Sequence, residues 1–190
     1  MTRFDRYRAF TMREEGGYSS DRNDTGNWLG HRFIGCYAGV TAGALLRCLG
    51  DDHKLTITAA YMRHLPDADA AAVYLSYWQG MGCEALPPGV NLAVYDMGFN
   101  AGENRSVRLL QQCLGFPIKG DPSTAVDGMC GKGTARRAAL ADPRELIHDL
   151  HDAQALYYGG LAQFGRYGAV WLARTTRRRD AALAFASETA

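Results

Sequence analysis

Glu14-Glu15-Gly16-Gly17-Tyr18 decides how the chain is read. Upstream of it, Phe4, Tyr7 and Phe10 recur at near-helical spacing, with Arg3, Arg6 and Arg13 on other faces. The double glycine ends that helix. Downstream, residues 18 to 41 are dense in Gly, Asn, Asp, Ser and Thr, with isolated aromatics, which predicts a loop or a small hairpin. A helix thus hands its last carboxylate, Glu15, to a polar lobe that carries a second one, Asp24.

Working outward, the remaining chain is read as helices. Thr41 is suited to cap a helix over Ala42 to Leu49, closed by Gly50. A short helix is expected over about 58 to 64. Another, capped by Asp67, carries Val73, Tyr74, Tyr77 and Trp78. Leu86-Pro87-Pro88-Gly89 is the clearest punctuation and sets the expected boundary between regions 1–88 and 89–190, packed as one unit. Beyond it, Val90, Leu92, Ala93, Val94, Met97 and Phe99 predict a largely buried helix, and 103–114 a further one that stops at Gly115 and Pro117. Residues 116–133 read as loop, Thr134 as the cap of a short helix, and Pro143 as the first turn of a helix ending at Gly159-Gly160. A last helix is expected over 167–185. The expected fold is mainly α, with any β-structure confined to about 18–41.

The chemistry follows from the carboxylates. Cutting a glycosidic bond needs one acid and one base or nucleophile. The partial negative charge at a helix C-terminus disfavours a second negative charge there, an arrangement expected to raise the pKa of Glu15 and suit it to donate a proton. Asp24, in an Asp-Thr-Gly context, reads equally as a turn residue or as the base. Thr41 has a cap role and a candidate role in holding water or sugar.

Composition bounds the alternatives. The 190 residues carry a net charge of +1 and are 47% hydrophobic, enough for a sizeable core without a general preference for polyanions. Arg174, Arg177, Arg178 and Arg179 cluster near the end; the favoured reading is a solvated helix face, the sharper one attraction to an anionic envelope. No aromatic-interleaved basic motif supports nucleic-acid binding. No apolar run approaches the ~20 residues of a membrane span. The five cysteines, Cys36, Cys48, Cys83, Cys113 and Cys130, form no C-x-x-C pair and are expected to be reduced. His148 and His151, with Asp152 nearby, are read as helix surface rather than a metal site. No metal and no cofactor are expected. The 127–134 glycines lack phosphate-loop spacing and are read as a turn.

Glu15-Gly16-Gly17-Tyr18, Asp24 and Gly39-Val40-Thr41 resemble glycoside hydrolase family 108, a family of bacterial and phage muramidases. The resemblance continues through Tyr74-Leu75-Ser76-Tyr77-Trp78, Leu86-Pro87-Pro88-Gly89-Val90 and Tyr95-Asp96-Met97-Gly98-Phe99-Asn100-Ala101-Gly102. Leu109-Leu110-Gln111-Gln112 and the run from Asp127 to Thr134 are similar to the peptidoglycan-binding region that follows the catalytic segment in that family. The resemblance implies a lysozyme-like fold and a monomer acting on peptidoglycan glycan strands. It makes Glu15 the acid, Asp24 the base and Thr41 a third catalytic residue, with Tyr18, Trp28 and Asn100 as substrate contacts. Asp96, on a buried helix, is expected to make a structural hydrogen bond. The chain departs from the pattern at 27–35, which reads as an insertion, and at Cys36, which stands where a threonine is expected.

No apolar signal segment follows Met1, so synthesis in the cytoplasm and holin-type release to the wall, as in a phage or prophage endolysin, is the expectation. The alternatives are a decayed wall-binding module, for which the altered loop argues, and a stem-peptide amidase or endopeptidase, which a missing zinc-ligand set disfavours.

Overall fold

The structure, a computed structural model, describes residues 2–119 and 125–188; part of the expected 116–133 loop therefore lies outside the described residues. The chain forms two compact units, 1–77 and 78–190, and the division falls inside a helix. The fold is mainly α, with a small antiparallel lobe, as expected for a lysozyme-like protein.

In the first unit, α1 runs Arg3–Glu15. A reciprocal capping box starts it: Asp5 N donates to Thr2 Oγ1 at 3.2 Å, and Thr2 N to Asp5 Oδ2 at 2.8 Å. Gly16 ends it at φ 75, a left-handed conformation that side chains resist. The lobe follows as β1 (Tyr18–Ser19), β2 (Trp28–Leu29), β3 (Arg32–Phe33), β4 (Cys36–Tyr37) and β5 (Val40–Thr41). One sheet has the order β1-β4-β5; β2 and β3 form a separate hairpin. β4 and β5 turn through Ala38 and Gly39, both at positive φ, as a tight two-residue hairpin demands. Ala38 is held in that strained state by two bonds: its N–H donates to the Gly17 carbonyl at 3.0 Å, and its carbonyl accepts from Tyr74 Oη at 2.6 Å.

Three helices complete the unit: α2 (Ala42–Leu49), α3 (Ala59–Arg63) and α4 (Asp67–Gly80). α2 has the expected cap at Thr41 and stop at Gly50. Asp67 is the first residue of α4 rather than its cap, and its carboxylate pairs with Arg8 of α1. Tyr7, Phe10, Ile34, Val40, Leu45, Ile57, Met62 and Tyr74 are buried.

The second unit is built on α5 (Val90–Ala101), buried from Val90 to Gly98 because it is apolar on nearly every face. α6 (Glu103–Cys113), α7 (Lys132–Leu140), α8 (Pro143–Gly159) and α9 (Phe164–Ser187) follow. Ser106 Oγ donates to the Val94 carbonyl at 2.6 Å, and Gln154 Nε2 to that of Ala93 at 3.1 Å, so α6 and α8 both bond α5. Thr134 is not the cap of α7. Gly131 takes that place, and Thr134 is buried with its Oγ1 accepting from Gln111 Nε2 at 3.2 Å. The arginine cluster is likewise corrected. Arg174 and Arg178 face inward on α9 and clamp buried Asp96: Arg174 Nη2 to Oδ1 at 2.7 Å, Arg178 Nη1 to Oδ2 at 2.9 Å. A buried carboxylate needs such partners, as expected of Asp96. Arg177 is exposed, and Arg179 pairs with Asp180.

Candidate active site

Glu15 is the last residue of α1, half-buried, with its Oε1 shielded from solvent. Strand register builds the surface beside it. Ser19 opposes Cys36, and Cys36 opposes Thr41. Directly opposed residues share a sheet face, so Ser19, Cys36 and Thr41 form one row. Tyr18, Tyr37 and Val40 take the other face.

Asp24 reaches the same row from the loop. It caps a single turn over Thr25–Asn27, its Oδ1 accepting from Gly26 N at 2.8 Å. A β-carbon on Gly26 would meet both Asp24 Oδ1 and Thr41 Cγ2 at 3.2 Å, so Gly26 lies between those two side chains. Burial pushes the pKa of the Cys36 thiol up first, the charge of Asp24 next, and the charge of Glu15 also, against the contact with Ser19. Both candidate carboxylates thus lie within electrostatic reach of the Cys36 thiol.

Buried Asn27 organises this loop. Its Nδ2 donates to the Asp21 carbonyl at 2.8 Å and to Ser19 Oγ at 3.3 Å, and its own carbonyl accepts from Ile34 N and Gly35 N, both at 2.9 Å. Ser19, Asn27 and the placement of Cys36 between Ser19 and Thr41 were not singled out by sequence. The odd cysteine was the available signal; a buried asparagine in a Gly/Asp-rich loop gives none.

The other predicted residues divide. Thr41 Oγ1 accepts from Ala44 N at 3.2 Å, the cap role, while its methyl faces Gly26. Tyr18 is fixed within the lobe: its hydroxyl donates to the Ile34 carbonyl at 2.9 Å, Arg63 lies over its ring, and only glycine fits at 35, where a β-carbon would sit 2.3 Å from that hydroxyl. The 27–35 segment contains the β2–β3 hairpin. Trp28 packs edge-on against Phe33 at 5.3 Å, and its Nε1 donates to the Arg22 carbonyl at 3.0 Å. Asn100 belongs to the second unit, exposed, with its Oδ1 accepting from Tyr158 Oη at 2.6 Å. Among the described residues, no three His, Cys, Asp or Glu side chains are grouped to hold a metal ion, and no helix is long and apolar enough to cross a membrane.

A shielded carboxylate at a helix end and a loop carboxylate held beside the sheet that follows it are the equipment that acid-assisted glycosidic cleavage requires. Residues 8–102, half of the chain, match the family described as glycosyl hydrolase 108. The chain belongs to that family. The glycosyl hydrolase 108 match takes in Glu15, Asp24, Thr41 and Asn100, and it makes the protein a glycosidase with a carbohydrate substrate. The structure of Brucella abortus SagA is similar over nearly the whole length, with a TM-score of 0.78 at 27% identity, covering 96% of this chain and 95% of that one. No curated protein matches the chain.

Proposed function

We propose that this glycosyl hydrolase is a peptidoglycan muramidase that cleaves between N-acetylmuramic acid and N-acetylglucosamine. Glu15 protonates the departing glycosidic oxygen. Asp24 activates the attacking water or steadies the positive charge of the transition state. The observation that supports this reading is that Asp24 folds back beside Thr41, across Gly26, on the small sheet that follows directly from the helix ending in Glu15. The second unit supplies the proposed peptidoglycan-binding region. The biological role is that of a phage or prophage endolysin, made in the cytoplasm and released to the wall through a holin-type lesion.

Mass spectrometry of digested sacculi tests the chemistry. Products with reducing muramic acid are expected. Reducing N-acetylglucosamine ends would identify a glucosaminidase, free stem peptides an amidase, and undigested sacculi a binding module. Lysis of an expressing host only after its inner membrane is permeabilised is the expected cellular outcome; lysis without permeabilisation would contradict the release route.

A further inference from the structure

The second unit contains a cavity of about 470 Å³ that the proposed hydrolysis does not use. Its walls are the end of α6, the end of α7 and the first turns of α8. One cation lines it, Arg137. The guanidinium lies 4.2 Å over the Phe116 ring, and Nη1 donates to the Leu114 carbonyl at 3.4 Å, so the charge is held in place rather than swept through solvent. Three carboxylates line it as well. Asp142 caps α8, and Glu145 and Asp149 follow it on the helix at helical spacing. Asp142 spends Oδ1 on the helix cap, accepting from Arg144 N and Glu145 N. Asp149 is close enough to α6 for its charge to help raise the Cys113 thiol, after burial, to about 11.

These opposite charges share a cavity without neutralising one another. Among the described residues Arg137 forms no ion pair, and the carboxylates of Glu145 and Asp149 have no hydrogen-bonded or ionic partner. Apolar surface accompanies them: Leu146 is buried, while Leu140, 79% exposed, borders the cavity. A purely cationic ligand would leave the pinned guanidinium repelling it, and a purely anionic one would meet three carboxylates. A ligand carrying both charges on an aliphatic frame satisfies each group.

We propose that this cavity binds the zwitterionic end of a diamino acid or of a peptide that carries one. The ammonium sits against Glu145 and Asp149, the carboxylate takes the Arg137 fork, and the aliphatic chain covers Leu140. The muramidase reading bears only on the source of such an end, since peptidoglycan stem peptides carry them.

Calorimetric titration of the whole chain tests this without any turnover, so failure of the hydrolase reading would leave the measurement intact. The probes are a free diamino acid, a tripeptide ending in it, and the tripeptide with its side-chain amine acetylated or its carboxylate amidated. Masking either charge should weaken binding by about tenfold or more, the loss expected for a charge-assisted hydrogen bond. Arg137→Gln should abolish discrimination against the amidated probe, and Asp149→Asn with Glu145→Gln discrimination against the acetylated one. Tighter binding of the tripeptide assigns the site to the wall; equal binding assigns it to the free amino acid. No heat of binding to any probe, or equal affinity for masked and unmasked probes, overturns the proposal. So would unchanged discrimination in variants whose circular dichroism matches the parent.

Discussion

Glu14 and Glu15 are neighbours in sequence, but successive helical side chains point about 100° apart, so a single helix end gives them different surroundings. Glu15 has a carboxylate oxygen shielded from solvent. Glu15→Gln keeps the size and removes the transferable proton; wall lysis should fall by ~10²–10⁴-fold with the fold intact. Glu14→Gln should retain most activity. If both variants lyse walls like the parent, the acid has been misassigned. Asn27 makes a second, independent prediction. Its side chain ties Ser19 and Asp21 to the loop that carries Asp24. Asn27→Ala removes both side-chain bonds, a cost of ~1–3 kcal/mol at about 0.5–1.5 kcal/mol each. Asp24 should then lose its fixed place, lowering kcat more than it raises KM. A variant with parental kcat would show that the Asp24 loop is positioned by other contacts.

Elements were legible where their punctuation is local. Thr41 and Gly50 bracket α2, and Pro143 opens α8, because caps and the proline φ act within a few residues. The lobe was legible only as a region: its strands are two residues long and gain their pairing from partners across the loop. Where an element departs from its reading, the cause is distant in sequence. Thr134 lies inside α7 because Gln111 takes its hydroxyl. α9 begins at Phe164 rather than at 167. Gly168, inside the helix, makes room for the Phe164 ring, which a β-carbon there would meet at 2.6 Å. A motif named the two candidate acids, but nothing in the sequence named Asn27, whose bonds depend on the folded loop. The α6 contact to the 126–131 segment has a measurable titration. Asp127 Oδ1 accepts from Gln111 Nε2 and from Met129 N, both at 2.7 Å, and these two bonds, Gln111 first, hold its carboxyl below the usual carboxylate range. A depressed folded pKa stabilises above the unfolded value of ~3.9 and is lost as pH falls through the folded one. Urea midpoints measured from about pH 5 to pH 2 should therefore decline less steeply in Asp127→Asn than in the parent. Identical slopes would mean that these bonds do not discriminate the ionised state.

At the scale of the molecule, the arginines of α9 show how little a charge count says about where charge acts. The net charge is +1, and two of the four clustered arginines are internal, spent on an aspartate 78 and 82 residues away. Their attraction cannot reach a wall polymer, and net charge this small gives little long-range field. Binding of the whole Glu15→Gln chain to sacculi should accordingly depend weakly on salt; a steep fall between about 0.05 and 0.3 M would show that the exposed basic residues dominate, since screening acts mainly on exposed charges. Stability is where the clamp matters. Removing one partner of a buried ion pair costs ~3–5 kcal/mol, a large share of the ~5–15 kcal/mol that holds a domain folded. Asp96→Ala should lower the unfolding free energy of the second unit by that amount. Replacing Asp96, Arg174 and Arg178 together with leucine or methionine should recover most of the loss, because the desolvation cost of all three charges vanishes with them. A triple variant no more stable than Asp96→Ala would mean that the clamp contributes geometry that apolar packing cannot reproduce, and that α9 is held to α5 by the direction of its hydrogen bonds.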